Sequence, residues 1–389
     1  MRIYEETHKW ITFEADYKKA SYELWTILGE CQSKCEHISN VALKPETTKE
    51  LQLVFLAKGV AGSAAIEGNT LTEEQVKLHL EGKLELPASQ RYLQREIDNI
   101  IKGCNIFIDE MRSGTVPVLS KERIKQLNKI VLDGCPLDDE KIIPGEIRKH
   151  DIGVMRYRGA PWADCDYLVD RLCEWLNGDA FTPQPGQEIV FSTLKAILAH
   201  LYIAWIHPFG DGNGRTARLV ELQILITSGV PAPAAHLLSN HYNKTRNEYY
   251  RQLDRASQSG GDVIPFTLYA AAGFRDGLKE QLNRIFLQQL ETTWQNYVYE
   301  RFRSRHSLSD DRRRNLVFDL TSQPGPVLRE NIPSISARIA AEYAKKTPKT
   351  LARDLNELIA MELIRKTPEG YRPNVEVLRG MFPVHARSG

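Results

Sequence analysis

Several signatures are missing from this 389-residue chain. Its six cysteines, Cys31, Cys35, Cys104, Cys135, Cys165 and Cys173, form no CxxC pair. That density and scatter indicate free thiols rather than a disulfide framework. The ten histidines show no HExxH pattern, so a zinc site of that kind is not expected. The start, MRIYEETHKW, has no apolar h-region, and no signal peptide is read. The apolar stretch 194–206 is broken by Lys195 and His200 and falls short of the ~20 residues a bilayer crossing needs. No internal repeat appears, and the phosphate loop GxxxxGK[ST] is absent. With 42% hydrophobic and 26% charged residues, the composition is that of an ordinary globular protein. The expectation is a cytoplasmic protein without a membrane partner, with two or three domains at ~150 residues each.

The net charge of +1 hides an asymmetry. Residues 301–389 hold 17 Lys/Arg against 10 Asp/Glu, a net of +7, while residues 1–300 hold 34 against 40, a net of −6. A basic tail permits a contact with nucleic acid without proving one.

Apolar positions recur at three- and four-residue spacing over 14–40, 46–60, 91–112, 120–133, 164–177, 188–206, 213–228, 243–256 and 265–290, predicting helices. Thr70 or Thr72 is placed to cap a further helix whose first turn is acidic, with Glu73 and Glu74. The one convincing β signal in this part is a hairpin near 144–158, opened by Pro144-Gly145, with Lys149, His150 and Asp151 near its bend. The stretch 301–314 is charge-dense and looks like a linker entering a new module, the linker being taken as 291–311. Beyond it, helices near 312–322, 335–344 and 348–361 precede a strand pair turning at Glu369-Gly370, the order of a winged helix-turn-helix. Its third helix places Lys349, Arg353 and Asp354 on exposed faces. DNA contact and protein docking both remain open for it.

The informative segment is His207-Pro208-Phe209-Gly210-Asp211-Gly212-Asn213-Gly214-Arg215-Thr216-Ala217-Arg218. Glycines at 210, 212 and 214, opening a helix, let backbone N–H groups converge as an anion nest. The helix N-terminus adds positive potential, and Arg215 and Arg218 lie on its first turns. Together they make a site for a di- or triphosphate. Asp211 supplies an oxygen ligand suited to Mg²⁺ held mostly by phosphates and water. His207, as a neutral imidazole, is a base for an incoming hydroxyl. A phosphate cradle, a metal carboxylate and a base describe attack on a nucleotide phosphate by an external hydroxyl.

This segment resembles the signature of the Fic family, HPFx(D/E)GNGRxxR, at every specified position. The resemblance extends over roughly 45–290. The 144–158 hairpin resembles the family's target-positioning flap, and Arg246, Tyr249, Tyr250 and 262–266 resemble the segment after the catalytic helix. It implies a mostly helical, all-α fold: an N-terminal helical region (1–112), a Fic core with a short β-hairpin flap (113–290), a linker (291–311) and a winged helix-turn-helix domain (312–389). It also implies transfer of AMP from ATP to a Ser, Thr or Tyr hydroxyl of a protein, with release of pyrophosphate. By resemblance His207 is the base, Asp211 holds Mg²⁺, and Gly212, Asn213 and Gly214 cradle the α- and β-phosphates. Arg215 then supports the β-phosphate and Arg218 the γ-phosphate, while Tyr249 and Tyr250 line the adenine pocket. Ser257 falls where some members place an Asn. A phosphate-transferring branch carries Lys where this chain has Gly214, so the intact Gly-Asn-Gly argues for AMP transfer.

Upstream, Ser63-Ala64-Ala65-Ile66-Glu67-Gly68-Asn69 resembles the family's inhibitory pattern [ST]xxxE[GN], in the subclass with an N-terminal inhibitory helix. A Glu at such a helix end is expected to form a bidentate pair with Arg218 and withhold it from ATP. Two other readings stand beside this one: hydrolytic removal of AMP using Glu67, and a DNA-binding regulator with a nucleotide-sensing core. Self-modification and a homodimer are left open.

Overall fold

The computed structural model describes residues 2–115, 117–137, 139–154 and 157–378, which fall into two compact units, Met1–Leu282 and Asn283–Gly389. The first is built almost wholly of helices. Helix α1 (Tyr4–Thr7) is a single turn, followed by α2 (Tyr22–Asn40), α3 (Pro45–Ile66), α4 (Glu73–Leu80), α5 (Arg91–Ser113) and α6 (Lys121–Val131). A two-stranded ribbon, β1 (Gly153–Val154) and β2 (Tyr157–Arg158), precedes α7 (Trp162–Leu176), α8 (Glu188–Ile206) and α9 (Asn213–Thr227). Then come α10 (Ala232–Ala235), α11 (Leu237–Lys244), α12 (Arg246–Gln258) and α13 (Ile264–Arg301), inside which the division between units falls.

Helix α8 is the centre. It packs on α9, α7 and α2, and α5 and α6 close the other flank of α9. Its mean hydropathy reaches 1.7 and that window is 83% buried, the signature of a core helix. By length and composition alone α8 is long and apolar enough to cross a membrane, as the shorter stretch 194–206 is not. Its first turn is capped from another helix: the N–H groups of Ile189 and Val190 donate to Gln32 Oε1 of α2, at 2.9 and 3.2 Å.

Helix α3 starts with Pro45 at its first position, where a missing N–H costs nothing. It ends in a Schellman motif: Gly68 N–H donates to Ala65 O and Asn69 N–H to Ala64 O, at 3.0 and 3.2 Å, with Gly68 at φ +99°. Only glycine holds that backbone without strain, and the turn fixes Glu67 as the last residue before it. Thr72 then caps α4 in a reciprocal box with Gln75, as its sequence leads one to expect.

Four expectations are corrected. The helix read from 14 begins only at Tyr22, because Asp16 accepts the Lys18 N–H and closes a 3-10 turn at Tyr17–Lys19 instead. The 243–256 helix is two, parted at Thr245. The hairpin strands pair Gly153 with Arg158 and Val154 with Tyr157, so Lys149-Asp151 precede the paired strands and are not the bend between them. Residues 291–301 are not linker but the end of α13, because Trp294 and Val298, one turn apart, and Phe302 just beyond the helix end are buried in the second unit's core.

That second unit continues with α14 (Leu308–Thr321), α15 (Ala337–Tyr343), α16 (Pro348–Ala360) and an antiparallel pair, β3 (Ile364–Thr367) and β4 (Gly370–Pro373). Three helices followed by a hairpin is the expected order. Lys349 and Arg353 are exposed on α16. Asp354 is not: it is 1% exposed and accepts from Arg312, Arg313 and Tyr343, each at 2.8 or 2.9 Å. Unpaired, a carboxylate would not tolerate that burial.

Candidate active site

Residues 207–212 join α8 to α9 and carry the glycine-rich segment. His207 closes α8 in a left-handed backbone, φ 51° and ψ 58°. For a residue with a Cβ that conformation costs about 1–2 kcal/mol. Gly212, at φ 73°, then opens α9. The N–H groups of the first turn of α9 have no acceptor within the helix, the condition for an anion site. Asn213 contributes its backbone there and not its side chain, which is fully engaged with the loop: Phe209 N–H donates to its Oδ1 at 2.9 Å, and its Nδ2 donates to Phe209 O at 2.8 Å.

His207 Nδ1 lies 3.4 Å from Ala204 O, so Nδ1 carries the proton and Nε2 is left as the base. Burial pushes the imidazole down to about 4, and the charge of Arg148 adds to this against opposing contributions from Glu67 and Asp211. The ring is therefore neutral near pH 7.

The two arginines are held differently. Arg215 Nη1 meets Glu96 Oε1 at 3.1 Å, and its Nη2 lies 3.4 Å from both oxygens of Asp211. Arg218 is buried and turned back on α3: Nε donates to Ser63 Oγ at 2.9 Å, and Nη2 to Ser63 O at 3.0 Å and Glu67 Oε1 at 2.8 Å. The expected fork-to-fork pair with Glu67 is thus a single N–H···O bond: Ser63 takes Nε and shares Nη2, and the buried Nη1 has no partner among the described residues. Loss of water raises the Glu67 carboxyl, but Arg218, with Arg215 and His207, outweighs it, and the pKa lies below the ordinary value.

A cavity of about 580 Å³ opens over this arrangement, lined among others by Ile66, Glu67, His207, Gly214, Tyr249 and Tyr250. That is within the range for small-molecule sites. Tyr250 is half-buried, its hydroxyl 3.4 Å from Ile66 O. Tyr249 is 3% exposed and more a wall than a contact, its hydroxyl 2.9 Å from His200 Nε2. Ser257 is turned inward, its hydroxyl donating to Asp254 O at 2.8 Å.

Several residues at the site carry no signal a single sequence offers. Glu96 sits mid-helix on α5 yet bridges Arg215 to Asn69, whose Nδ2 donates to its Oε2 at 2.8 Å. Glu221, 1% exposed, accepts from Tyr242 at 2.8 Å and lies 3.6 Å from His200 Nδ1.

The Fic/DOC family model matches residues 118–225. Protein adenylyltransferase fic-1 of Caenorhabditis briggsae is 29% identical over 210 residues, 54% of this chain and 38% of that protein. Protein adenylyltransferase Fic of Nematostella vectensis is 29% identical over 214 residues, 54% of this chain and 44% of that one. The chain thus spans less than half the length of these relatives. Among solved structures, a Fic family protein from Desulfovibrio desulfuricans G20 superposes with TM-score 0.58 at 20% identity, covering 92% of this chain and 98% of that one. Fic-1 from C. elegans gives 0.54 at 23%, covering 68% and 73%. Residues 118–225 thus match a Fic domain, and the fold is the Fic helical fold.

Proposed function

We propose that this protein is an autoinhibited protein adenylyltransferase, moving AMP from ATP to a hydroxyl side chain of a target protein. The observation that carries the reading is one cavity lined by a neutral His207 and by Glu67 and Gly214, with the glycine-rich first turn of α9 at its wall. His207 Nε2 takes the proton of the target hydroxyl. The hydroxyl oxygen bonds to the α-phosphorus, the bond to the bridging oxygen of the β-phosphate breaks, and pyrophosphate leaves. The α9 N-terminus and Arg215 stabilise the charge that develops. Asp211, with its side chain 40% exposed beside the nest, is one hard oxygen donor, which fits a Mg²⁺ completed by phosphates and water. Bound there, the ion would neutralise phosphate charge. Glu67 and Ser63 hold Arg218 away from this work, which is the brake.

The test is intact mass after incubation with ATP and Mg²⁺, with a cell extract as added acceptor, for wild type, Glu67→Gly and Glu67→Gly/His207→Ala. AMP gained by the protein itself or by an acceptor only with Glu67→Gly is the expected result. No AMP on any protein with Glu67→Gly would overturn the reading.

A second reading, hydrolysis of AMP from a modified hydroxyl, is favoured by the ionised Glu67 facing the same cavity as His207. Release of AMP from a modified acceptor by wild type, lost in Glu67→Gly, distinguishes it. For the second unit, exposed Lys345, Lys346, Lys349 and Arg353 support duplex DNA contact. Binding that weakens with salt and with Lys349→Ala/Arg353→Ala is the expected sign.

A further inference from the structure

Arg148 lies between the α6 segment and the ribbon, its side chain wholly inaccessible to solvent. A buried guanidinium usually answers to a carboxylate. Among the described residues this one has Asp151 alone, at 3.7 Å, with the Asp151 side chain 75% exposed. Its hydrogen bonds go instead to backbone carbonyls. Nε donates to His207 O and Nη1 to His150 O, both at 2.7 Å, and Nη2 donates to Ala160 O and, at 3.4 Å, to Ile206 O. Every nitrogen of the fork is used, and no ion pair is made within hydrogen-bond distance.

The choice of carbonyls is informative. Ile206 O and His207 O belong to the two peptide planes that flank the His207 Cα, so fixing both fixes φ and ψ of that residue. These are the angles that stand in the left-handed region, and the residue also precedes Pro208, which disfavours helical backbone before it. Further contacts act on the same point. Arg148 N–H donates to Pro208 O at 3.0 Å, and Ile147 bridges to Phe209. A Cβ on Gly159 would come within 2.9 Å of His207 Cβ and 3.0 Å of Arg148 Nη2, so Gly159 lets the clamp close on the histidine.

We propose that Arg148 is the positioning residue for His207: it holds the backbone that aims the imidazole into the cavity, without touching a substrate. The proposal rests on His207 being the base of the transfer reaction. Lysine at 148 keeps charge and donors but lacks the planar fork that reaches both flanking carbonyls.

The experiment uses the full chain in the Glu67→Gly background, with Arg148→Met and Arg148→Lys. It reads kcat and KM for ATP, the thermal midpoint, and the His207 ring NMR signals assigned by their loss in His207→Ala. The expected result for Arg148→Met is a kcat lower by about 100-fold, the scale of a small misplacement of a reacting group. KM for ATP stays unchanged, and the His207 ring signals shift or broaden. Arg148→Lys recovers part of kcat and decides the matter if Arg148→Met does not fold. An unchanged kcat in folded variants, or unmoved His207 signals, would overturn the proposal. If Glu67→Gly itself transfers no AMP, the functional reading fails, and the ring signals alone then judge the role of Arg148.

Discussion

Glu67 Oε1 occupies the space that a Cβ at Gly214 would need. The residue just past α3 and the second residue of α9 are thus mutually dependent, and the glycine of the nest is also the glycine that admits the Glu67 carboxylate.

Gly214→Ala is therefore expected to displace Glu67 from Arg218. The lost charge-assisted bond should lower stability by about 1–2 kcal/mol, discounted because the Glu67 side chain is one-third exposed. The same substitution in Glu67→Gly should cost distinctly less. A double-mutant cycle by urea denaturation measures that difference, and strict additivity would contradict the contact.

Glu96 shares Arg215 with Asp211: Nη1 meets Glu96 Oε1 at 3.1 Å, while Nη2 reaches both Asp211 oxygens at the longer 3.4 Å. Removing that partner with Glu96→Ala should let Arg215 settle on Asp211. In the Glu67→Gly background the Mg²⁺ concentration for half-maximal transfer should then rise several-fold. A titration of rate against Mg²⁺ checks it, and an unmoved midpoint would count against the arrangement.

Burial lowers both His207 and His236 from 6.5 to about 4. Between those limits the unfolded chain binds protons that the folded chain does not, so stability increases with pH across that window. Acidifying from pH 7 toward 4 should lower the thermal midpoint progressively. His236→Gln should make that slope shallower, as followed by circular dichroism melts at half-unit steps.

In the second unit, Asp354→Ala leaves Arg312 and Arg313 without their buried partner. Breaking such a group typically costs about 3–5 kcal/mol. Differential scanning calorimetry should show loss of stability in residues 283–389, with transfer activity in the Glu67→Gly background retained below that transition.

What was legible in the sequence was whatever local chemistry dictates. The run from His207 to Arg218 names its own loop and helix start, and Ser63 to Asn69 names a glycine-stopped helix end. That Arg218 would find Glu67 followed from the resemblance; that Ser63 would share the guanidinium and leave one bond to Glu67 did not, because Ser63's share depends on how α3 and α9 pack. Glu96, Glu221, His200 and Arg148 were invisible for the same reason: each acts across elements distant in sequence. Asp354 was misplaced because a carboxylate on a helix reads as solvent-facing unless its arginine partners, on another helix, are known. The supposed linker failed on charge: Arg301, Arg303 and Arg305 masked the apolar stripe of Trp294, Val298 and Phe302.

Helix α8 has a consequence for how the chain reaches its native state. Its cover comes partly from neighbours in sequence, α7 and α9, and partly from α2, far upstream, whose Gln32 also caps it. Contacts that span so much chain form late, because the intervening loop must close first. Until α2 docks, one side of the most apolar helix in the protein is bare and prone to self-association. Substitutions such as Leu24→Ala or Gln32→Ala would therefore show themselves first as insoluble protein, while the molecules that do complete the core keep an intact site.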